Sequence, residues 1–282
     1  MHIDLSGKRV IVTGASRGIG AAIAEGFAKD SARVAICART KDAIEREGEK
    51  LRELGARDVI AQSVDVSSTD EVRAFVEEIA SAWDGIDVLV NNAGQGRVGT
   101  LDTLKPEDIL DHANHLQVAH FRFVQAVAPH MRKQKWGRVI NINALNGHIL
   151  PPGGFTTVSN RAAGIALSKS LGQALAKDGI LVNTLNMGWI DTGQWDRHFN
   201  EMPKTIKREE FDEIVTKVVP VGRYGRPEEV ANIALFLASD LASYISAASI
   251  DVSGGMQGQL SYYPTLKSDL HKEGLRREAE CN

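Results

Sequence analysis

The chain has 282 residues, 43% hydrophobic and 24% charged, which is enough apolar material for a sizeable core and too much for a disordered chain. Its net charge of −3 gives no electrostatic basis for binding nucleic acid or an anionic membrane, and no apolar run reaches the ~18 residues of a membrane span. The two cysteines, Cys37 and Cys281, exclude a disulfide framework or a cysteine zinc site, so no metal is expected; with no apolar signal region in MHIDLSGKRV, a reducing, cytoplasmic setting is expected.

Strand-like apolar runs alternate with helix-length amphipathic segments. Residues 8–13 (KRVIVT) predict a first strand and 18–29 a helix rich in Ala, Ile and Phe. Residues 33–38 (RVAICA) predict a second strand, 41–54 a charged helix and 58–64 a third strand. A helix over 69–83 follows, with Phe75, Val76, Ile79 and Trp83 at helical spacing, and then a fourth strand from 87 to 90. Residues 106–132 are expected to be mostly helical, ending at the basic run Met131–Lys135. A strand over 138–142, a helix over 156–177 and a strand over 180–185 come next. Pro227 opens a helix to 239, and 249–252 is a last short strand. Such alternation predicts an α/β fold, a doubly wound parallel sheet with helices on both faces. Residues 188–222 are poorly periodic, and 257–282 form a charged tail expected to be solvated.

The motif Thr13-Gly14-Ala15-Ser16-Arg17-Gly18-Ile19-Gly20 lies directly between the first strand and the first helix. Gly14 permits a tight turn, Gly18 lets backbone approach a pyrophosphate, and Gly20 lets the helix sit close to the sheet. The helix N-terminus then offers free N–H groups and positive dipole to phosphate.

This T-G-x-x-x-G-I-G spacing resembles the short-chain dehydrogenase/reductase family. Asp65-Val66, Asn91-Asn92-Ala93-Gly94, Arg226-Pro227-Glu228-Glu229-Val230 and Ile250-Asp251-Val252-Ser253-Gly254-Gly255 match that family's other motifs, so the likeness runs from about residue 5 to residue 256. It implies a Rossmann-type domain over 1–256 with about seven strands, a substrate-covering segment at 188–222 and a homo-oligomer, dimer or tetramer. It also implies cofactor contacts at Gly14, Ser16, Arg17, Gly18, Ile19, Gly20, Asp65, Val66, Asn91, Ala93 and Gly94, and further on at Gly188, Ile190 and Thr192. The family's NAD users carry a carboxylate after the second strand. Here that position is Ala38, followed by Arg39, with Arg17 in the glycine loop. Two guanidinium groups near one ribose suit a 2′-phosphate, so NADP(H) is expected over NAD(H).

The family's catalytic Asn, Ser, Tyr and Lys fall on Leu116, Ala144, Thr157 and Arg161. The loss of the tyrosine needs no alignment: the four tyrosines are Tyr224, Tyr244, Tyr262 and Tyr263, and none precedes residue 224. Threonine is far too weak an acid to replace a phenol, and losing a positioned acid typically costs ~10² to 10⁴ in rate. Orientation alone contributes about 7–11 kcal/mol in well-aligned systems, so hydride transfer is impaired, not forbidden. Arg161 keeps a cation one helical turn beyond Thr157 and is expected at the nicotinamide ribose. Halohydrin dehalogenases also have Arg there, but they keep Ser and Tyr and lose the nucleotide motif, the reverse of this chain. His148, in the loop after the fifth predicted strand, is the candidate proton carrier, and Asn143 and Asn146 could orient a carbonyl. Asn114 could stand in for the missing Asn, and His115 reads as a packing residue. Trp189, Trp195, His198, Phe199 and Met202 make an apolar small-molecule substrate plausible, although such residues are more often core. Three functions stay open: an NADP(H)-dependent oxidoreductase of a carbonyl/alcohol pair with a rebuilt proton relay, an NADP(H)-binding sensor or assembly protein without turnover, and non-redox, lyase-type chemistry.

Overall fold

The computed structural model describes residues 3–94, 99–149, 153–256 and 262–280. Seven parallel strands form one sheet: β1 (Arg9–Thr13), β2 (Arg33–Ala38), β3 (Asp58–Ser63), β4 (Val88–Asn91), β5 (Gly137–Ala144), β6 (Ile180–Met187) and β7 (Ser249–Val252). Their spatial order is β3-β2-β1-β4-β5-β6-β7. The order reverses between β1 and β4, and the crevice beyond the carboxyl ends of the strands at such a point is where doubly wound sheets bind ligands.

Strand residues alternate between two cores, as the period of two requires. Val10, Val12, Val34, Ile36, Val88 and Val90 face one side. There they meet α1 (Gly18–Lys29), α2 (Lys41–Glu53) and, beyond the later strands, α9 (Pro227–Ala238). Ile11, Ala35, Cys37 and Leu89 face the other, under α3 (Thr69–Trp83), α5 (Gln117–Gln134) and α6 (Phe155–Leu175). The Ser68 hydroxyl caps α3 by accepting from Glu71 N–H at 3.3 Å, and the basic run at 131–135 ends α5 with Lys135 left-handed at φ +53.

Three regions differ from the sequence expectation. The helix expected over 106–132 is two, α4 (Pro106–His115) and α5, broken at Leu116 with φ −117 and ψ −91. No glycine or proline marks the break. It comes from the loop after β4, where a Cβ on Gly94 would lie 2.6 Å from Leu116 Cδ1. The poorly periodic segment contains α7 (Gln194–Asn200) and α8 (Arg208–Thr216). The tail is the helix α10 (Tyr262–Glu280), docked rather than solvated. Its Leu270 is buried with Trp195, Met202, Ile206 and Phe211, and Gly274 lies so close to Pro203 that a Cβ would sit 2.6 Å from its Cγ.

Candidate active site

A cleft of about 860 Å³ runs along the carboxyl edge of the sheet from the glycine loop to α6. At its outer end Gly14 and Gly18 have φ of +64 and +62, the left-handed region that favours glycine. Thr13 Oγ1 accepts from the backbone N–H groups of Asn92 (2.9 Å) and Ala93 (3.0 Å), and Asn92 Nδ2 donates to the carbonyls of Thr13 (3.0 Å) and Gly14 (2.9 Å). These bonds tie the β1 and β4 loops into one rim. A Cβ on Gly20 would lie 2.5 Å from both Asn92 Nδ2 and Gly14 O, so only glycine fits there. No side chain caps α1, which leaves its first N–H groups facing the cleft beside Ser16 and Ile19.

Ala38 lines the cleft, with exposed Arg39 and Arg17 beside it. Val66 lines it too, while Asp65 is not among the lining residues. The Asp65 carboxylate is held below its ordinary range by the Ser67 hydroxyl (2.7 Å) and the Ser67 N–H (2.8 Å). Ala93, Gly94 and Thr192 line the cleft, whereas Gly188 and Ile190 do not. Asn91 is fully buried and its Nδ2 donates to Asn141 Oδ1 at 2.8 Å, so its side chain braces β4 against β5 and does not reach a ligand. The cradle fits a dinucleotide: its left-handed glycines and its uncapped helix match a pyrophosphate lying against backbone, while Gly20 lets α1 start tight against the β1 and β4 loops.

The inner end is built from α4 and α6. Thr157 lines the cleft, and Arg161 follows one turn later. Burial of its guanidinium pushes the Arg161 pKa down to about 10, so it stays charged at neutral pH. Its Nη1 donates weakly to Ile142 O (3.3 Å) and Asn143 Oδ1 (3.4 Å), and its buried Nε has no hydrogen-bond partner among the described residues. Asn143 Nδ2 donates to Arg161 O at 2.9 Å. Asn143 therefore holds Arg161 in place and does not face the cleft as a carbonyl-orienting group. Ala144 ends β5 and carries no polar atom to replace the serine. Leu116 is buried at the α4–α5 break, and Asn114 cannot stand in, because Arg122 Nη2 donates to its Oδ1.

His148 is placed differently from the expectation. The turn after β5 packs hard on α6: a Cβ on Gly147 would lie 3.0 Å from Arg161 O. That turn carries His148 outward, where its Nε2 lies 3.3 Å from Asp251 Oδ1, and it is not among the residues lining the cleft. Tyr224 offers no substitute: its hydroxyl donates to Asp212 Oδ1 at 3.1 Å inside the aromatic cluster, while Tyr244 is fully exposed. Trp195 and Met202 are buried in that same cluster. Among the described residues, the 188–222 segment turns Thr192, Gln194, Asp196 and Arg197 toward the cleft, while Trp195 and Met202 lie away from it.

Of the histidines on α4, His112 has no role assigned from the sequence, and His115 reads there as a packing residue. His115 lines the cleft, with its Nδ1 2.9 Å from Asp111 O. His112 also lines it, buried at 2% exposure, and its spacing of four from Leu116 was the one available signal. Burial and the nearby Arg161 charge push His112 down to about 4; in the layer behind, they push His120 down to about 3.

Fold and cleft define a doubly wound α/β protein whose crevice fits a dinucleotide. Known proteins narrow this. The family model described as enoyl-(acyl carrier protein) reductase matches residues 14–257. The 3-oxoacyl-(acyl-carrier-protein) reductase of Staphylococcus aureus is 35% identical over 250 residues, covering 88% of this chain and 98% of that protein. The L-sorbose reductase of Gluconobacter frateurii, solved with NADPH and L-sorbose, superposes with a TM-score of 0.88 at 33% identity, over 92% of this chain and 100% of that one. A short-chain type dehydrogenase/reductase from Mycobacterium marinum superposes with a TM-score of 0.82 at 30% identity, over 91% of this chain and 98% of that one. The chain belongs to the short-chain dehydrogenase/reductase family.

Proposed function

We propose that this chain is an NADP(H)-dependent oxidoreductase acting on the carbonyl/alcohol pair of a small molecule through a rebuilt site. The observation that carries the reading is the intact cradle from Gly14 to Gly20 together with Ala38, where a carboxylate would repel a 2′-phosphate, between Arg17 and Arg39. The bound dinucleotide would supply or accept the hydride. Glycine-loop and α1 backbone N–H groups would hold the pyrophosphate, Arg17 and Arg39 the 2′-phosphate, and Arg161 the nicotinamide ribose. Asp65 and Val66 would border the adenine, and Ala93, Gly94 and Thr192 the rest of the cofactor. Asn143 positions Arg161.

A second reading, nucleotide binding without turnover, rests on Ala144 and Thr157, which leave no side chain of ordinary acid strength at the family positions. Both are tested together. NADPH should raise the melting temperature more than NADH does, and NADPH should be oxidised in the presence of ketones, aldehydes or imines. Saturable NADPH binding with no turnover across the panel selects the second reading, and no stabilisation by either nucleotide removes both.

We also assign the exposed apolar side chains Leu110, Val118, Phe121 and Phe155, on α4, α5 and the start of α6, to contact with a second copy of the chain. Among the described residues, no helix is long and apolar enough to cross a membrane.

A further inference from the structure

Among the described residues, the imidazole of His112 in the inner cleft has nothing to bind inside the protein. His112 is 2% exposed, lines the cleft beside Thr157 and Arg161, and neither of its ring nitrogens has a hydrogen-bond partner among the described residues. A buried imidazole with donor and acceptor both unmade is costly, and native proteins rarely keep one without a use. The neighbouring histidines differ. His115 has its Nδ1 beside Asp111 O, and His120 bonds the backbone of Ala93 and does not line the cleft.

We infer that His112 contacts the substrate, its neutral imidazole N–H donating to the uncharged oxygen of a small polar ketone or aldehyde held between Thr157 and Arg161. In the opposite direction the same N–H donates to the oxygen of the corresponding alcohol, whose hydroxyl proton leaves to solvent water as hydride leaves its carbon. This rests on the redox reading above and deepens it. A neutral imidazole polarises a carbonyl as a hydrogen-bond donor and keeps its own proton; the hydride would come from bound NADPH to the carbonyl carbon, the C=O π pair would go to oxygen, and a proton from solvent water would complete the hydroxyl. The Arg161 cation next to it favours that neutral form. The polar residues of the covering segment, Gln194, Asp196 and Arg197, suit a hydrophilic substrate body. In this arrangement α4 supplies the oxygen contact that α6 lost when Thr157 took the tyrosine position.

The test uses the full chain with His112→Leu and His112→Gln. NADPH affinity is read by fluorescence titration, stability by melting without ligand, and catalysis by NADPH oxidation with a panel of polar carbonyls that includes L-sorbose and ethyl acetoacetate. His112→Leu should bind NADPH within about 2-fold of wild type and melt no lower, since it removes unsatisfied polar atoms. It should lose about 100-fold in kcat/KM, the scale of one oxygen-stabilising donor, and His112→Gln, which restores an N–H, should recover about 10-fold of that. Wild-type kcat/KM in His112→Leu overturns the inference alone. So does a parallel loss of NADPH affinity, or a lower melting temperature that Gln does not rescue. A wild-type chain that binds NADPH yet reduces no carbonyl of the panel overturns the redox reading and this inference with it.

Discussion

Arg161 is a buried cation with no carboxylate beside it among the described residues. Its partners are two weak contacts to Ile142 O and Asn143 Oδ1, so most of its hydrogen-bonding capacity is unused within the protein. Arg161→Ala should therefore weaken NADPH binding by about 10-fold, while Arg161→Lys, which keeps the charge, should weaken it much less; unchanged NADPH affinity in the alanine variant would show that Arg161 does not meet the cofactor. Arg17→Ala and Arg39→Ala should each raise the Kd for NADPH while leaving the Kd for NADH nearly unchanged, because only the 2′-phosphate distinguishes the two ligands. The buried histidines set an acid limit. His112 and His120 titrate near 4 and 3 in the folded chain, below the ordinary 6.5, so the unfolded chain binds more protons between those values. Their contribution to stability is complete above about pH 6.5 and is lost as pH falls toward 3, on the order of a few kcal/mol. The drop in melting temperature from pH 7 to pH 4 should be smaller in His120→Phe than in wild type; an equal drop would assign the acid sensitivity elsewhere.

At the scale of elements, α7, α8 and α10 form a small cluster of their own beside the main cores. Trp195, Met202, Ile206, Phe211, Val215 and Leu270 fill it. The Arg277–Glu210 ion pair (3.0 Å) and the bond from Thr205 Oγ1 to Gly274 O (3.1 Å) tie α10 to the segment bordering the cleft. Leu270→Ala should cost about 2 kcal/mol, the low end for a buried leucine, and lower the melting temperature by several degrees. Unfolding followed by Trp fluorescence would check it, since Trp195 lies in the cluster, and an unchanged melt would mean that α10 does not hold the segment. α10 packs on the segment that carries Gln194 and Arg197, so the variant should also weaken substrate use more than NADPH binding.

For the molecule as a whole, the sheet order puts the β1 and β4 loops side by side, and this creates the outer end of the cleft. The exposed apolar side chains Leu110, Val118, Phe121 and Phe155 lie on α4, α5 and α6, two of which, α4 and α6, line the inner cleft. If a second copy covers it, Phe121→Glu should lower the sedimentation coefficient toward that of a monomer without abolishing NADPH binding. A wild-type chain that sediments as a monomer would refute the assignment.

The strands, most helices and the nucleotide loop were legible from local pattern, because a period of two, a period of 3.6 and a glycine spacing are short-range properties of the chain. The break at Leu116 was not, since the cause is a loop that approaches from β4 and not a residue in the helix. The roles of single polar side chains were legible only in part. Asn143 and His148 lie near the site in sequence, yet one turns back to hold Arg161 and the other is carried out to Asp251. His112 was not legible, because its spacing of four from Leu116 puts it on a helix face without showing that this face meets α6. By itself, then, the sequence determined the α/β architecture, the glycine cradle and the loss of the tyrosine, each a matter of residue identity at fixed spacing. Tertiary structure decided what occupies the inner cleft, because that depends on how α4 and α6 cross, and contacts between elements far apart in the chain leave no periodic trace in it.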